Sequence, residues 1–191
     1  MAEAAIAIVA RDGLRALTHR AVDRELDLPA GSTSYYLRTH RQLVEAVVRR
    51  LAERTSSDVT AAEPPPTAPT APPSVEELSQ ALAGLLDRLA GRRDDHLVRW
   101  ALAVDLTRDP ELHAFLTSRS PVRAELLARG QDLLDRLGVA DPAGQAPGLV
   151  ALVDGLLFDR LAGSGAAGGP AADAVTVLRS YLSGLPRATS G

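Results

Sequence analysis

A proline-rich segment between residues 61 and 74 is the feature that most limits how this chain can fold. The segment reads AAEPPPTAPTAPPS and contains six prolines. Because proline lacks a backbone donor and clashes with the preceding turn, neither a helix nor a strand can continue through this segment. We expect a semi-rigid, partly extended connection here, with a disordered surface loop as the alternative. The chain is therefore expected to have a head (1–54), a connection (55–74) and a body (75–191).

The composition of both parts favours helices. Ala and Leu dominate the hydrophobic residues, which make up 46% of the chain, whereas aromatic residues make up only 3%. Residues that favour strands are therefore scarce. Apolar residues recur at helical spacing in both parts, and no segment predicts a strand. We predict an all-α protein.

Caps and apolar stripes predict where the helices begin and end. Gly13 is expected to end the first helix and Thr18 to cap the second. The apolar stripe of the second helix predicts that Val22, Leu26 and Leu28 are buried. The expected helices cover residues 2–13, 18–28, 30–37, 39–54, 75–90, 96–106, 110–116, 121–137, 148–161 and 170–185.

Composition and charge also exclude several classes of protein. The chain has no cysteine, which excludes disulfides and thiolate zinc sites. No apolar run reaches the roughly 18–20 residues of a membrane span, and the apolar start is interrupted by Arg11 and Asp12, unlike a signal peptide. We therefore expect a cytoplasmic protein. The net charge of −3 argues against a general nucleic-acid coat, yet the head has nine arginines against seven acidic residues.

The stretch LPAGSTSYYLRTH, residues 28–40, contains two of the three tyrosines beside a row of small hydroxyl residues. Two short helices joined at residues 26–29, the second small and polar, indicate a helix-turn-helix. Such a motif presents the N-terminal end of one helix to the DNA major groove, while flanking groups contact phosphates. Hydroxyls can bond base edges or phosphates, and tyrosine adds an apolar ring and a donor.

The longer stretch GLRALTHRAVDRELDLPAGSTSYYLRTHRQLVEAVV resembles the N-terminal DNA-binding domain of TetR-type (TetR/AcrR) transcriptional regulators, over residues 4–52. The matching positions are Gly13, Leu17, Thr18, Gly31, Ser34, Leu37, His40 and Leu43. The resemblance implies a three-helix helix-turn-helix domain over residues 1–54, with the motif at about 18–37. It also implies that residues 75–191 form a helical ligand-binding and dimerisation domain.

The resemblance further implies which side chains contact double-stranded DNA: Thr18, Arg20, Ser32, Thr33, Ser34, Tyr35, Tyr36 and His40. Five of these assignments have alternatives. Thr18 can be a cap only, Arg20 a solvated residue, and either tyrosine a half-buried packing residue. Thr33 can be buried, because the family usually has an apolar residue there.

Three departures from the family pattern affect this interpretation. Ser34 replaces the usual tyrosine, so Tyr35 is expected to supply the lost phosphate contact. His40 replaces a phosphate-binding lysine. The family usually has another helical turn before the first helix, which predicts either an upstream start or the absence of those contacts.

In the body, the resemblance implies a cavity for a small-molecule effector between the central helices. Its candidate lining is Trp100, Val104, Phe115 and Phe158, with ordinary core packing as the alternative. The apolar helices near the C-terminus are expected to form a homodimer through a four-helix bundle. We expect no cofactor and no metal.

These observations predict a ligand-responsive regulator, a repressor that binds a palindromic operator as a dimer. One alternative is a helical dimer that senses a small molecule but binds DNA weakly or not at all. The other is a small helical enzyme, which would depend on Asp94, Asp95 and His96. We do not expect an enzyme, because the two aspartates fit the acidic first turn of a helix.

Overall fold

The computed structural model describes residues 1–61, 72–169 and 171–188, and this part of the chain contains ten α-helices. They are α1 (Ala2–Asp12), α2 (His19–Glu25), α3 (Ser32–Tyr36), α4 (His40–Ala61), α5 (Val75–Ala90), α6 (Arg93–Asp105), α7 (Pro110–Leu116), α8 (Pro121–Arg136), α9 (Pro142–Leu161) and α10 (Ala174–Gly184). Within these described residues there is no β-strand, and the only β-type pairing is one isolated bridge between Val139 and Arg187. The predicted all-α class is confirmed. Most of the proline-rich segment lies outside the described residues.

The chain forms two compact units. The first comprises residues 1–55 and 92–123, and the second comprises residues 56–91 and 124–191. None of the helices in the described part of the chain combines the length and the hydropathy that a membrane span requires.

The core of the first unit is built from the apolar stripes of α1, α4 and α6. These stripes are close to continuous because apolar residues recur every three or four positions, which puts them on one helix face. The buried residues include Ala5, Ile8, Val9, Leu43, Val47, Val48, Leu51, Val98 and Leu102. The apolar stripes predicted for α1 and α4 are confirmed.

The prediction that Leu26 and Leu28 are buried is wrong. Their exposed fractions are 38% and 37%. The reason is that α2 ends at Glu25, three residues earlier than its apolar stripe suggested. Both leucines therefore lie in the turn, around Asp27, whose φ of 51° is left-handed.

In the second unit, α5 packs against α9 and α10. Ser74 begins α5 with a capping box, in which its hydroxyl and the Glu77 side chain each bond the other residue's backbone N–H. Leucines dominate the buried faces of these helices: Leu78, Leu82, Leu86, Leu89, Leu149, Leu157, Leu178 and Leu182.

Three helices begin three or more residues away from the position that the sequence indicated. α9 begins at Pro142, not near residue 148, because Asp141 accepts the Gly144 N–H at 3.0 Å and proline suits the first turn. α6 begins at Arg93 and α10 at Ala174. In α10, the Asp173 carboxylate caps the helix through the Thr176 N–H.

Candidate nucleic-acid interface

The helix-turn-helix predicted from residues 18–37 is present as α2, a turn and α3. Thr18 has an extended backbone and its Oγ1 accepts the Ala21 N–H at 3.1 Å, so it caps α2 as expected. The turn leads to Gly31, whose φ of 94° is one that glycine adopts without strain. An open groove between the two helices is lined by Thr18, His19, Arg20, Asp23, Ala30, Gly31 and Ser34.

A buried carboxylate in α2 fixes the beginning of α3. Asp23 accepts the Gly31 N–H at 2.8 Å through Oδ2 and the Thr33 N–H at 2.7 Å through Oδ1. The hydroxyl of Thr33, its backbone N–H and the Gly31 N–H stabilise the ionised form, and the pKa of Asp23 lies below its ordinary value of 3.8. Asp23 therefore sets the position of α3 relative to α2. The sequence analysis missed this residue, and its only signal was an acid on the apolar face of α2.

The hydroxyl residues of α3 are mostly engaged within the protein. Thr33 is fully buried, which corresponds to the packed alternative, so its side chain does not face outward. The Ser32 hydroxyl donates to the Pro29 carbonyl at 2.6 Å, and the Ser34 hydroxyl donates to the Gly31 carbonyl at 2.9 Å. Ser32 is half-buried and Ser34 is exposed.

Tyr35 and Tyr36 are the most outward groups of α3. Their exposed fractions are 76% and 70%, which differs from the half-buried packing considered as an alternative. The two rings meet edge to face, with centroids 5.0 Å apart and planes at 87°. This arrangement is the favourable geometry for an aromatic pair.

Two histidines join the ends of the helix-turn-helix. The Nε2–H of His19, at the beginning of α2, donates to the Leu37 carbonyl at 2.5 Å. The Nε2–H of His40, at the beginning of α4, donates to the Leu17 carbonyl at 3.1 Å. A carbonyl can only accept, so each ring carries a proton on Nε2. The sequence analysis predicted that His40 contacts a phosphate. In the structure, the Nε2 side of its ring faces the Leu17 carbonyl.

Several arginines around α2 and α3 are exposed. Arg20, Arg24 and Arg38 are exposed, and no ion pair involves them within the part of the chain that the structure describes. Arg11, by contrast, pairs with Glu25 at 3.0 Å, and Arg41 pairs with Asp109 at 3.0 Å. Arg24 and Arg38 were missed by sequence reasoning, whose only relevant signal was the excess of arginine in the head.

The four pocket candidates of the body do not belong to one unit. Trp100, Val104 and Phe115 lie in the first unit and Phe158 lies in the second. Trp100 is half-buried beside the His96 ring, at a centroid distance of 5.9 Å. Val104, Phe115 and Phe158 are exposed, which differs from ordinary core packing.

The acidic start of α6 has a structural partner. Asp94 and Asp95 both lie in the first turn of α6, as predicted. The buried Asp95 pairs with Arg54 at 2.5 Å, and Arg54 also pairs with Glu3 of α1. Among the residues that the structure describes, no group of three side chains could hold a metal ion.

Comparison with known families gives a match over most of the body. Residues 73–184 match the family described as "Tetracyclin repressor-like, C-terminal domain". The matched segment runs from just before α5 to the end of α10. A comparison with curated proteins gave no significant match.

Several solved structures resemble the chain over nearly all of its length. The multidrug binding protein EbrR, in complex with imidazole, is 29% identical, covering 99% of this chain and 94% of that chain with a TM-score of 0.66. In complex with proflavin it is 30% identical, covering 95% of each chain with a TM-score of 0.60. A TetR family member from Streptomyces coelicolor A3 is 28% identical, covering 98% and 96% with a TM-score of 0.67. A transcriptional regulator from Rhodococcus sp. Rha1 shares the fold at 20% identity, covering 96% and 92% with a TM-score of 0.74.

Proposed function

The chain belongs to the TetR family of transcriptional regulators, and we propose that it is a ligand-responsive repressor that binds a palindromic operator. The observation that carries this proposal is the outward surface of α2 and α3. Two exposed tyrosines lie on a short helix that Asp23 positions, and exposed arginines precede and follow it in the sequence. Rings and hydroxyls can contact base edges, while guanidinium groups contact phosphates.

The proposed DNA contacts are Thr18, Arg20, Ser34, Tyr35 and Tyr36, with Arg24 and Arg38 added on the basis of their exposure. Ser32 and His40 can contact DNA only through the atoms of their side chains that are not used in intramolecular hydrogen bonds. Thr33 contributes by positioning α3, since its side chain is buried.

A palindromic operator requires a dimer, and we propose that α9 and α10 form its interface. Two helices from each subunit would give a four-helix bundle. The recognition helices of the two subunits would then enter successive major grooves, roughly 34–36 Å apart. In this proposal, residues 1–54 are the DNA-binding domain and residues 75–191 are the ligand-binding and dimerisation domain.

The effector of this proposal is a small molecule. EbrR, which is about 30% identical to this chain, is described as a multidrug binding protein and was solved with proflavin, ethidium and malachite green. We propose that the present protein binds aromatic compounds of this kind, with Trp100, Val104 and Phe115 of the first unit as candidate contacts. A coupling free energy of about 1–3 kcal/mol between ligand and DNA would be enough for release. The expected cytoplasmic location agrees with this proposal, because the protein would meet its operator in the cytoplasm.

A second candidate function is a small-molecule sensor that binds DNA weakly. It is favoured by the first turn of α4, where the His40 ring bonds the Leu17 carbonyl and Arg41 pairs with carboxylates. The side chains of His40 and Arg41 are therefore already bonded within the protein, at the beginning of α4, where the family resemblance implied a phosphate contact.

The experiment that separates these functions is a fluorescence-anisotropy titration on duplexes that tile the DNA around the protein's own gene. We expect tight binding to one palindromic tile, weakened by salt and by added proflavin. Arg20→Ala should lower the affinity and reduce the slope of log K against log salt by about 0.9, because one phosphate contact is lost. Arg49→Ala is the matched control, since it removes another exposed charge, in the middle of α4. Weak binding to every tile, with equal effects of both variants, would support the sensor.

A further inference from the structure

The recognition helix lacks the side chains that most often read bases. Guanine is usually read by arginine or lysine and adenine by asparagine or glutamine, each through two hydrogen bonds in the major groove. Residues 28–37, which include all of α3, contain none of these four residue types. Reading of the operator by α3 must therefore depend on hydroxyls or aromatic rings.

The hydroxyl groups of the serines and the threonine in α3 have no hydrogen available to donate to a base. Ser32 and Ser34 each give their hydroxyl hydrogen to a backbone carbonyl, at 2.6 Å and 2.9 Å. Thr33 is buried. The serine oxygens can still accept a hydrogen bond, but the outward groups that remain are the rings of Tyr35 and Tyr36.

Tyr35 lies on the side of α3 that faces away from the core of the first unit. Successive residues of a helix are separated by about 100°, so Tyr35 lies about 200° from the buried Thr33 and hence on the opposite side of α3. Its exposure is the higher of the two tyrosines. The Tyr36 ring packs against it edge to face, which restricts the orientations that Tyr35 can adopt.

The major groove offers one apolar group to such a ring. Among the four base-pair orientations, only those with thymine present a methyl group, at C5. Contact between this methyl and an exposed ring removes apolar surface of both from water. The exposed arginines around α3 are proposed to contact phosphates, and such contacts carry no sequence information directly.

We infer that Tyr35, supported by Tyr36, reads thymine in the operator through the C5 methyl group. This inference rests on the proposed DNA-binding function and names the chemistry of its partner. It makes the Tyr35 ring, and not its hydroxyl, the determinant of sequence.

The test uses the full-length protein and the tile that it binds most tightly. Each thymine is replaced in turn by uracil, which keeps every hydrogen-bonding group and removes only the methyl. We expect one position in each half-site at which uracil weakens binding about three- to fivefold, the effect of one buried methyl. Thymines elsewhere in the duplex should be insensitive and serve as the internal control.

Three variants connect the effect to the ring. Tyr35→Ala should weaken binding and abolish the difference between the thymine and uracil duplexes. Tyr35→Phe should keep that difference, because it removes only the hydroxyl. Arg49→Ala, in the middle of α4, is the control and should leave that difference unchanged. Because Tyr35 is largely exposed, thermal melting should show that its variants fold as the wild type does.

The outcomes separate this inference from the proposed function. Specific binding to one tile that no uracil substitution weakens overturns the inference and leaves the proposed function intact. Loss of the difference between the thymine and uracil duplexes in Tyr35→Phe also overturns it, since the phenol would then act through its hydroxyl. Absence of specific binding to any tile overturns the proposed function, and the inference with it.

Discussion

The α2–α3 segment and the α5–α10 pair are held in place by different interactions. α2 and α3 have seven and five residues, and their buried side chains are Val22, Asp23 and Thr33. α5 and α10 have sixteen and eleven residues and bury leucines along one face. Hydrogen bonds from side chains to the backbone position the first pair, whereas apolar packing positions the second.

In the proposed function, this difference follows from what each region must leave exposed. A helix that lies against DNA cannot use its outward side chains for packing, so its backbone must be fixed from behind. Asp23 does this through the N–H groups of Gly31 and Thr33, and His19 does it through the Leu37 carbonyl. Changes in α5 and α10 should therefore affect stability, and changes behind α3 should mainly affect recognition.

The largest effect is expected in α5. Leu86 is almost completely buried, and Leu86→Ala should lower the free energy of unfolding by about 2–5 kcal/mol through lost burial and a cavity. Urea unfolding measures this change. Leu85→Ala, at the half-buried neighbouring position, should cost clearly less. Equal costs at both positions would show that the leucine face of α5 is not the main source of stability in this unit.

Removal of the charge behind α3 should have an intermediate effect. Asp23→Asn keeps only one side-chain oxygen to accept the N–H groups of Gly31 and Thr33. The amide NH2 group then faces the N–H group that the oxygen does not reach. We expect a lower melting temperature and a larger loss of affinity for the operator than for a scrambled duplex, measured by anisotropy. Asp27→Asn is the matched control, because its left-handed backbone also suits asparagine. The same loss on both duplexes would contradict a positioning role.

The same carboxylate predicts a pH dependence. The pKa of Asp23 is lowered in the folded protein, so its stabilisation is present above the ordinary pKa of 3.8 and is lost as pH falls through the folded value. The difference in stability between wild type and Asp23→Asn should be constant near neutral pH and shrink below pH 3.8. Urea unfolding of both proteins across this range measures it, and a difference that grows in acid would contradict the assignment.

The smallest expected effect is at the beginning of α2. Thr18→Ala should cost about 1 kcal/mol of stability, because the Ala21 N–H loses its partner. Thr18→Ser keeps the capping oxygen and should restore most of this loss. If serine and alanine destabilise the protein equally, then the methyl group of Thr18 matters more than its cap.

The sequence was sufficient for features that depend on local patterns. The apolar stripes of α1 and α4 and the cap at Thr18 follow from spacings of three or four residues, and the structure confirms them. The bonds made by Asp23 and His40 span 8 to 23 residues, and no periodicity reports them. Leu26 and Leu28 continued an apolar stripe past the end of α2, so the pattern indicated burial where the turn exposes them.

The most direct test of the account is hydrogen–deuterium exchange of the protein with its tightest-binding duplex and with a scrambled duplex of equal length. The account predicts that the operator slows exchange in peptides covering residues 17–41 and leaves residues 75–90 unchanged. Slower exchange confined to other segments, with residues 17–41 unaffected by the operator, would contradict the assignment of α2 and α3 as the surface that reads DNA.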